Sequence, residues 1–247
     1  MALSAQHIYS AFFDRLVRTP EGRAHVLNLI VNAEEGDEHG VFERLQDIVE
    51  DPRARKAIAR HQADEQRHAQ LYRDCLQRNG VIPRPIPEHL MVIRRVAATA
   101  GGSFAEGQAA GNAGGLATRE DIMNTYALLL AIEARGVQQF PLIGAAFRRL
   151  GDHATADTFD RVTRDEARHV RYCHAIGRMH AVDDRAWARA VRSHKLIEAQ
   201  AFRQAGLAGV AYAIEHGYLW GGSAAARAFA RLLNRLDPLL RSTPSTT

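Results

Sequence analysis

An all-α bundle is the fold this sequence predicts, on three observations. Apolar residues recur at helical spacing along most of the chain, strand-type alternation is hard to find, and capping pairs mark the starts of the long segments. The segments also fall into the order hairpin, long crossover, hairpin. That is the connectivity of a four-helix bundle, here followed by accessory C-terminal helices.

The first long helix opens at Thr19-Pro20-Glu21: a capping hydroxyl, a Pro at the first helical position, then an acid at the positive end of the helix dipole. Leu27, Ile30, Val41, Leu45 and Ile48 continue its apolar stripe as far as Asp51-Pro52. That pair closes one helix and caps the second, which runs to about Gln77, before "RNG". Residues 80–115 carry Pro83, Pro85 and Pro87, a short apolar helix near 89–99 and the stretch "GGSFAEGQAAGNAGG", which together read as the crossover. Thr118-x-x-Asp121 is a capping box opening a third helix to about Leu150, with a kink expected at Pro141 and a stop at Gly151. A fourth helix spans about 153–180. Two or three shorter helices fill 184–240, and "RSTPSTT" is a frayed tail.

The composition narrows the function. A chain of 247 residues with 46% hydrophobic content buries a substantial core as one domain. Two cysteines, Cys75 and Cys173, without CxxC spacing provide no disulfide framework, zinc ribbon or rubredoxin-type site. The net charge of +4 comes from Arg interleaved with acids, and no nucleic-acid signature accompanies it, so a salt-bridged helical surface is expected and no nucleic-acid partner. No signal peptide and no apolar run long enough for a transmembrane span is visible, which points to the cytoplasm.

The chemistry lies in a repeat. "ADEQRHAQLY" at 63–72 and "RDEARHVRYC" at 164–173 match at Asp, Glu, Arg and His. Glu65 with His68, and Glu166 with His169, stand at i and i+3, so each pair shares a helix face. Glu133 is in phase with Tyr126, Leu129, Leu130, Val137 and Phe140, on an apolar face where an unpaired carboxylate is costly. On the first helix Glu34 is in phase with Leu27, Ile30 and Val41, while Glu35 and Glu38 remain alternatives. A Glu from each of two helices plus a Glu-x-x-His from each of the others makes a carboxylate-rich dinuclear metal site.

Paired Glu and Glu-x-x-His helices joined by a crossover resemble the ferritin-like di-iron carboxylate proteins. The doubled Asp-Glu-x-Arg-His is similar to their oxygenase branch: multicomponent monooxygenase hydroxylases, acyl-carrier-protein desaturases and ribonucleotide reductase small subunits. The resemblance covers residues 20–180. It implies two iron ions, with manganese as the other candidate, held by Glu34 and His68 on one side and Glu133 and His169 on the other, with Glu65 and Glu166 bridging. Carboxylate and imidazole donors suit those metals. The resemblance further implies that Asp64 holds His169 and Asp165 holds His68.

His61, one turn before Glu65, stands where di-iron N-oxygenases carry an extra His ligand; a packed core His is the other reading. Tyr72 and Cys173 lie two turns beyond the motif Glu residues on the same face. Tyr72 resembles the radical tyrosine of ribonucleotide reductase small subunits, with core packing as its alternative. One turn after Glu133, multicomponent monooxygenases carry a Thr where this chain has Val137. The expected activity is that of an oxygenase or oxidase using O2 on a small organic substrate. Its electrons come from a reductase, a ferredoxin or the substrate, and the chain works as a homodimer. A ferroxidase, peroxidase or iron-storage role is the first alternative. The second is a non-enzymatic interaction protein docking through the amphipathic stripe of Arg227, Arg231 and Arg235.

Overall fold

A computed structural model describes residues 5–35, 38–100 and 118–241. The described residues contain nine α-helices and no strand. They are α1 (Ala5–Leu16), α2 (Pro20–Glu34), α3 (Glu38–Ile48), α4 (Pro52–Arg78), α5 (Val92–Ala100), α6 (Arg119–Arg149), α7 (His153–His180), α8 (Asp184–Glu215) and α9 (Ala224–Arg241). The Gly-rich stretch 101–115 and the expected frayed end 242–247 lie outside the described residues.

Local chemistry explains where the helices start. The Thr19 hydroxyl accepts from the Gly22 N–H at 3.0 Å, and Asp51 accepts from the N–H groups of Arg53 and Ala54. Thr118 and Asp121 form the reciprocal capping box. Asp152 and Asp183 cap α7 and α8 by accepting from Thr155 N–H and Ala186 N–H. Each such cap is worth about 1 kcal/mol. Gly151, at φ 90°, supplies the left-handed turn that sends α7 back along α6.

Three elements differ from the sequence reading. The first long helix is two, α2 and α3, because "EEGDEHG" sets acids on successive turns around a glycine, and like charges at i,i+4 with a poor helix former weaken that turn. The shorter helices expected from residue 184 begin instead with α8, a continuous 32-residue helix. Alanines at 186, 190, 201, 205, 208 and 211 sustain it, and no proline interrupts it. α6 runs from Arg119 to Arg149 with Pro141 inside it, the span read from the sequence. α1 precedes the first capping signal at Thr19 and packs on α6, where Arg149 reaches Asp14.

α2 packs against α4, α4 against α7, and α7 along α6, while α8 lies on α6 and carries α5 and α9. α4, α6 and α7 each carry a polar layer between two apolar ones, and α2 ends at that layer with Glu34. At one end Leu27, Tyr72, Leu76, Phe147 and Phe159 are buried together. At the other end Phe42, Leu45, Ile58, Tyr126, Leu129 and Cys173 are buried together. Between the two clusters the buried residues are Glu34, Glu65, His68, Glu133, Glu166 and His169. No described helix is long and apolar enough to cross a membrane.

The α6–α7 seam depends on Gly144. A Cβ there would lie 2.9 Å from Phe159 Cβ and 3.4 Å from the Ala156 carbonyl oxygen, so the helices would have to part. Gly144→Ala is expected to destabilise the protein by about 1–3 kcal/mol, an overpacking cost visible as a lower Tm by circular dichroism.

Candidate metal centre

α4 presents His61, Glu65 and His68 on one face, α7 presents Glu166 and His169, α6 presents Glu133, and the last residue of α2 is Glu34. Their ligand-type atoms fall into two groups. His61, Glu65, Glu133 and His169 form one; Glu34, Glu65, His68 and Glu166 form the other. Within each group the atoms lie within 4.8 Å of one another, and Glu65 belongs to both. Buried groups of this kind can hold metal ions.

The imidazoles aim inward by different nitrogens. Nδ1 of His68 is 3.5 Å from Glu34 and 3.4 Å from Glu166, and Nδ1 of His169 is 3.2 Å from Glu65 and 3.3 Å from Glu133. His61 uses Nε2, at 2.9 Å from Glu65 and 3.3 Å from Glu133, and its ring lies against His169, tilted by 34° with centroids 3.8 Å apart. Despite these short contacts, His61 Nε2, His68 Nδ1 and Glu65 Oε1 are buried and make no hydrogen bond of good geometry among the described residues. Buried polar atoms are normally satisfied. Imidazole and carboxylate atoms converging in this way could hold a metal ion, and the donor set is nitrogen and oxygen without thiolate.

The outward nitrogens are held crosswise. Asp165 lies 3.2 Å from His68 Nε2, and Asp64 lies 3.2 Å from His169 Nε2. Arg67 donates to both Asp64 and Asp165, and Arg168 likewise donates to both. The repeated Asp and Arg thus close a ring of four charges across the α4–α7 interface. Burial would raise Asp64, but Arg168, Arg67 and His169 hold its carboxyl down at about 2.

Crowding divides the inner carboxylates. Burial and the neighbouring Glu65 push Glu34 up to about 8, and burial with Glu133 pushes Glu166 well above the usual range. Burial opposes ionisation of Glu65 and Glu133 too, yet the surrounding imidazoles override it and hold both well below the ordinary value. Burial would lower the three imidazoles; the carboxylates instead raise His61 to about 9 and His68 and His169 to about 10.

A cavity of about 580 Å³ opens beside the cluster, and Glu34, Glu65, Glu133 and Glu166 all reach it. Its walls come from α1, α2, α5, α6 and α8. Most lining side chains are apolar, such as Phe12, Phe13, Leu29, Ile30, Ile132 and Phe140. A bidentate Arg135–Glu198 pair, at 3.0 and 2.9 Å, forms the polar part of the wall, and Arg135 also lies over the Phe202 ring.

Comparison of the chain with family models, with curated proteins and with solved structures returned no match. What the centre can do is therefore read from its own geometry.

That geometry places the sequence candidates as follows. Glu34 is buried in the cluster, whereas Glu35 is exposed and ion-paired with Arg73. The Glu38 side chain is outside the described ones. His61 is one of the buried residues whose atoms could hold an ion, and its ring also packs against Phe42. Glu166 joins only the Glu34–His68 group, its nearer oxygen being 3.9 Å from His169 Nδ1. Tyr72 is fully buried against Phe159, its hydroxyl without a partner among the described residues; burial, then Glu34 and Glu166, keep the phenol protonated. Cys173 sits in the opposite apolar cluster, and neither it, Tyr72 nor Val137 lines the cavity. The residue after Glu133 that faces the carboxylates is Gly136, where a Cβ would lie 3.3 Å from Glu166 Oε2.

Sequence reasoning missed Gly136 and the Arg135–Glu198 pair. Glu198 had a signal: it is an acid in the run "LIEAQAF", inside a helix rich in alanine. Asp165→Asn keeps the shape but removes the charge that both arginines and His68 share. Metal affinity is expected to fall about 10–100-fold, measured by competition with a chromophoric chelator, with the helical circular dichroism unchanged. Glu65→Ala is expected to lose more metal than Glu34→Ala, and Glu35→Ala none, by elemental analysis of the purified variants.

Proposed function

We propose that the protein is a ferritin-like di-iron oxygenase or oxidase that uses O2 to oxidise a small organic molecule. The observation that carries this reading is the pair of ligand groups sharing Glu65 and opening through their carboxylates onto an apolar cavity. His61, Glu133 and His169 would hold one ion, Glu34, His68 and Glu166 the other, with Glu65 between them. Such a pair supplies electrons to O2, replenished by a separate reductase or ferredoxin or by the substrate. His61 as a third imidazole supports a donor set like that of the di-iron N-oxygenases.

The chain's own residues would do the remaining work. Asp64 and Asp165 accept from Nε2–H of His169 and His68, which fixes the tautomer leaving Nδ1 free to ligate. The Arg67–Arg168 ring keeps both aspartates ionised. Phe140, Ile132 and Ile30 exclude water from the carboxylate edge. Gly136 leaves room beside Glu166 where substrate would approach.

Ferrous loading of the purified protein under anaerobic conditions is expected to give about two irons per chain, as a site of this donor composition holds in bundle proteins. Admission of O2 should then consume it, and His61→Ala should lower both iron content and uptake. Uptake coupled only to deposition of many irons per chain would replace this reading with iron storage. Absence of bound metal after loading would leave the interaction-protein alternative.

A further inference from the structure

The cavity has a direction. Along α2 its lining runs from Glu34 back to His25, along α6 from Glu133 to Ile143, and along α8 from Glu198 to Val210. At ~1.5 Å per residue these spans are about 13, 15 and 18 Å. All three lead from the carboxylates to one end of the bundle, where Leu16 and the His25 ring, stacked on Tyr212, close the space.

Polarity is distributed along that axis. Arg135 and Glu198 stand at the carboxylate end, and Gln139 and the exposed Arg203 lie part-way along the wall. Beyond them the walls are Phe12, Phe13, Val26, Ile143, Leu207 and Val210. On the α8 face Ala205, Gly206 and Gly209 stand among the larger Phe202, Leu207 and Val210. A Cβ at either glycine meets nothing within 4 Å, and neither has a positive φ. Packing and backbone conformation therefore both permit a larger residue there. Glycine inside a helix is destabilising relative to alanine, so the two glycines serve the open volume.

We infer that the cavity binds an unbranched aliphatic chain of about 10–14 carbons, its polar end beside Glu34 and Glu133 and its tail along Gly206 and Gly209. The length follows from a ~1.5 Å carbon–carbon bond, which advances an extended chain by about 1.3 Å per carbon. A branched or fused-ring ligand of equal volume would need width at the carboxylate end rather than length along α8. This rests on the oxygenase reading for the identity of the reacting end, and on the cavity alone for the chain.

Isothermal titration of straight-chain carboxylic acids, 1-alkanols and 1-alkylamines tests it, on the protein as purified and after anaerobic iron loading. Affinity should rise roughly fourfold per added carbon, from the transfer free energy of a methylene, and stop rising near the expected length. The series that binds most tightly at equal chain length identifies the polar end. Gly206→Leu and Gly209→Leu should move the stopping point to shorter chains with iron content unchanged. Gly206→Ala and Gly209→Ala, which favour the helix, should move it less in the same direction. A length-independent affinity, or a stopping point unmoved in these variants, would overturn the inference while leaving the metal reading intact. Loss of iron binding in the wild-type chain with the length dependence preserved would do the reverse.

Discussion

Burial of four carboxylates in one layer of a helical bundle is the constraint on which the rest of this structure depends. Glu34, Glu65, Glu133 and Glu166 lie between two apolar clusters, where an uncompensated charge costs several kcal/mol. Three imidazoles and shared protons answer that charge from within. The Asp64–Arg67–Asp165–Arg168 ring answers it from outside, one step further along each motif. Because the ring joins α4 to α7, the same contacts that orient the imidazoles also set how these helices meet.

The architecture divides the labour. α2, α4, α6 and α7 supply the inward donors, and the apolar layers above and below keep them at a common level. α1, α5 and α8 supply no ligand-type atom to either group; they build the walls of the cavity that the carboxylates face. A helix added outside the bundle thus creates enclosed volume without disturbing the polar layer. The glycines and alanines of α8 keep that volume open, and the Arg135–Glu198 pair marks its polar end.

Much of this was legible in the sequence for a local reason. A cap acts within one turn, so Thr19, Asp51 and Thr118 announce their helices without outside help. A Glu-x-x-His shares a face in any α-helix, so the doubled motif declares two inward pairs wherever the helices lie. The third acid, Glu133, was visible because its neighbours in phase are apolar. α8 was read as shorter pieces, whereas it is one continuous helix sustained by alanines along its length.

What only the tertiary structure decided is how each helix is rotated about its own axis, since helical periodicity defines a face but leaves its centre uncertain by a residue. That rotation selects Glu34 over Glu35, whose carboxylate instead meets Arg73 at the surface. It turns Gly136 rather than Val137 toward Glu166, and brings His61 in with the ligand-type residues. The cavity needed still more: residues from Tyr9 to Val210 share one wall only after five helices have packed. Sequence by itself determined the helices, their caps and the paired motifs, because those are interactions across one or two turns. Packing, a sum over distant contacts, determined which side chains share the enclosed space.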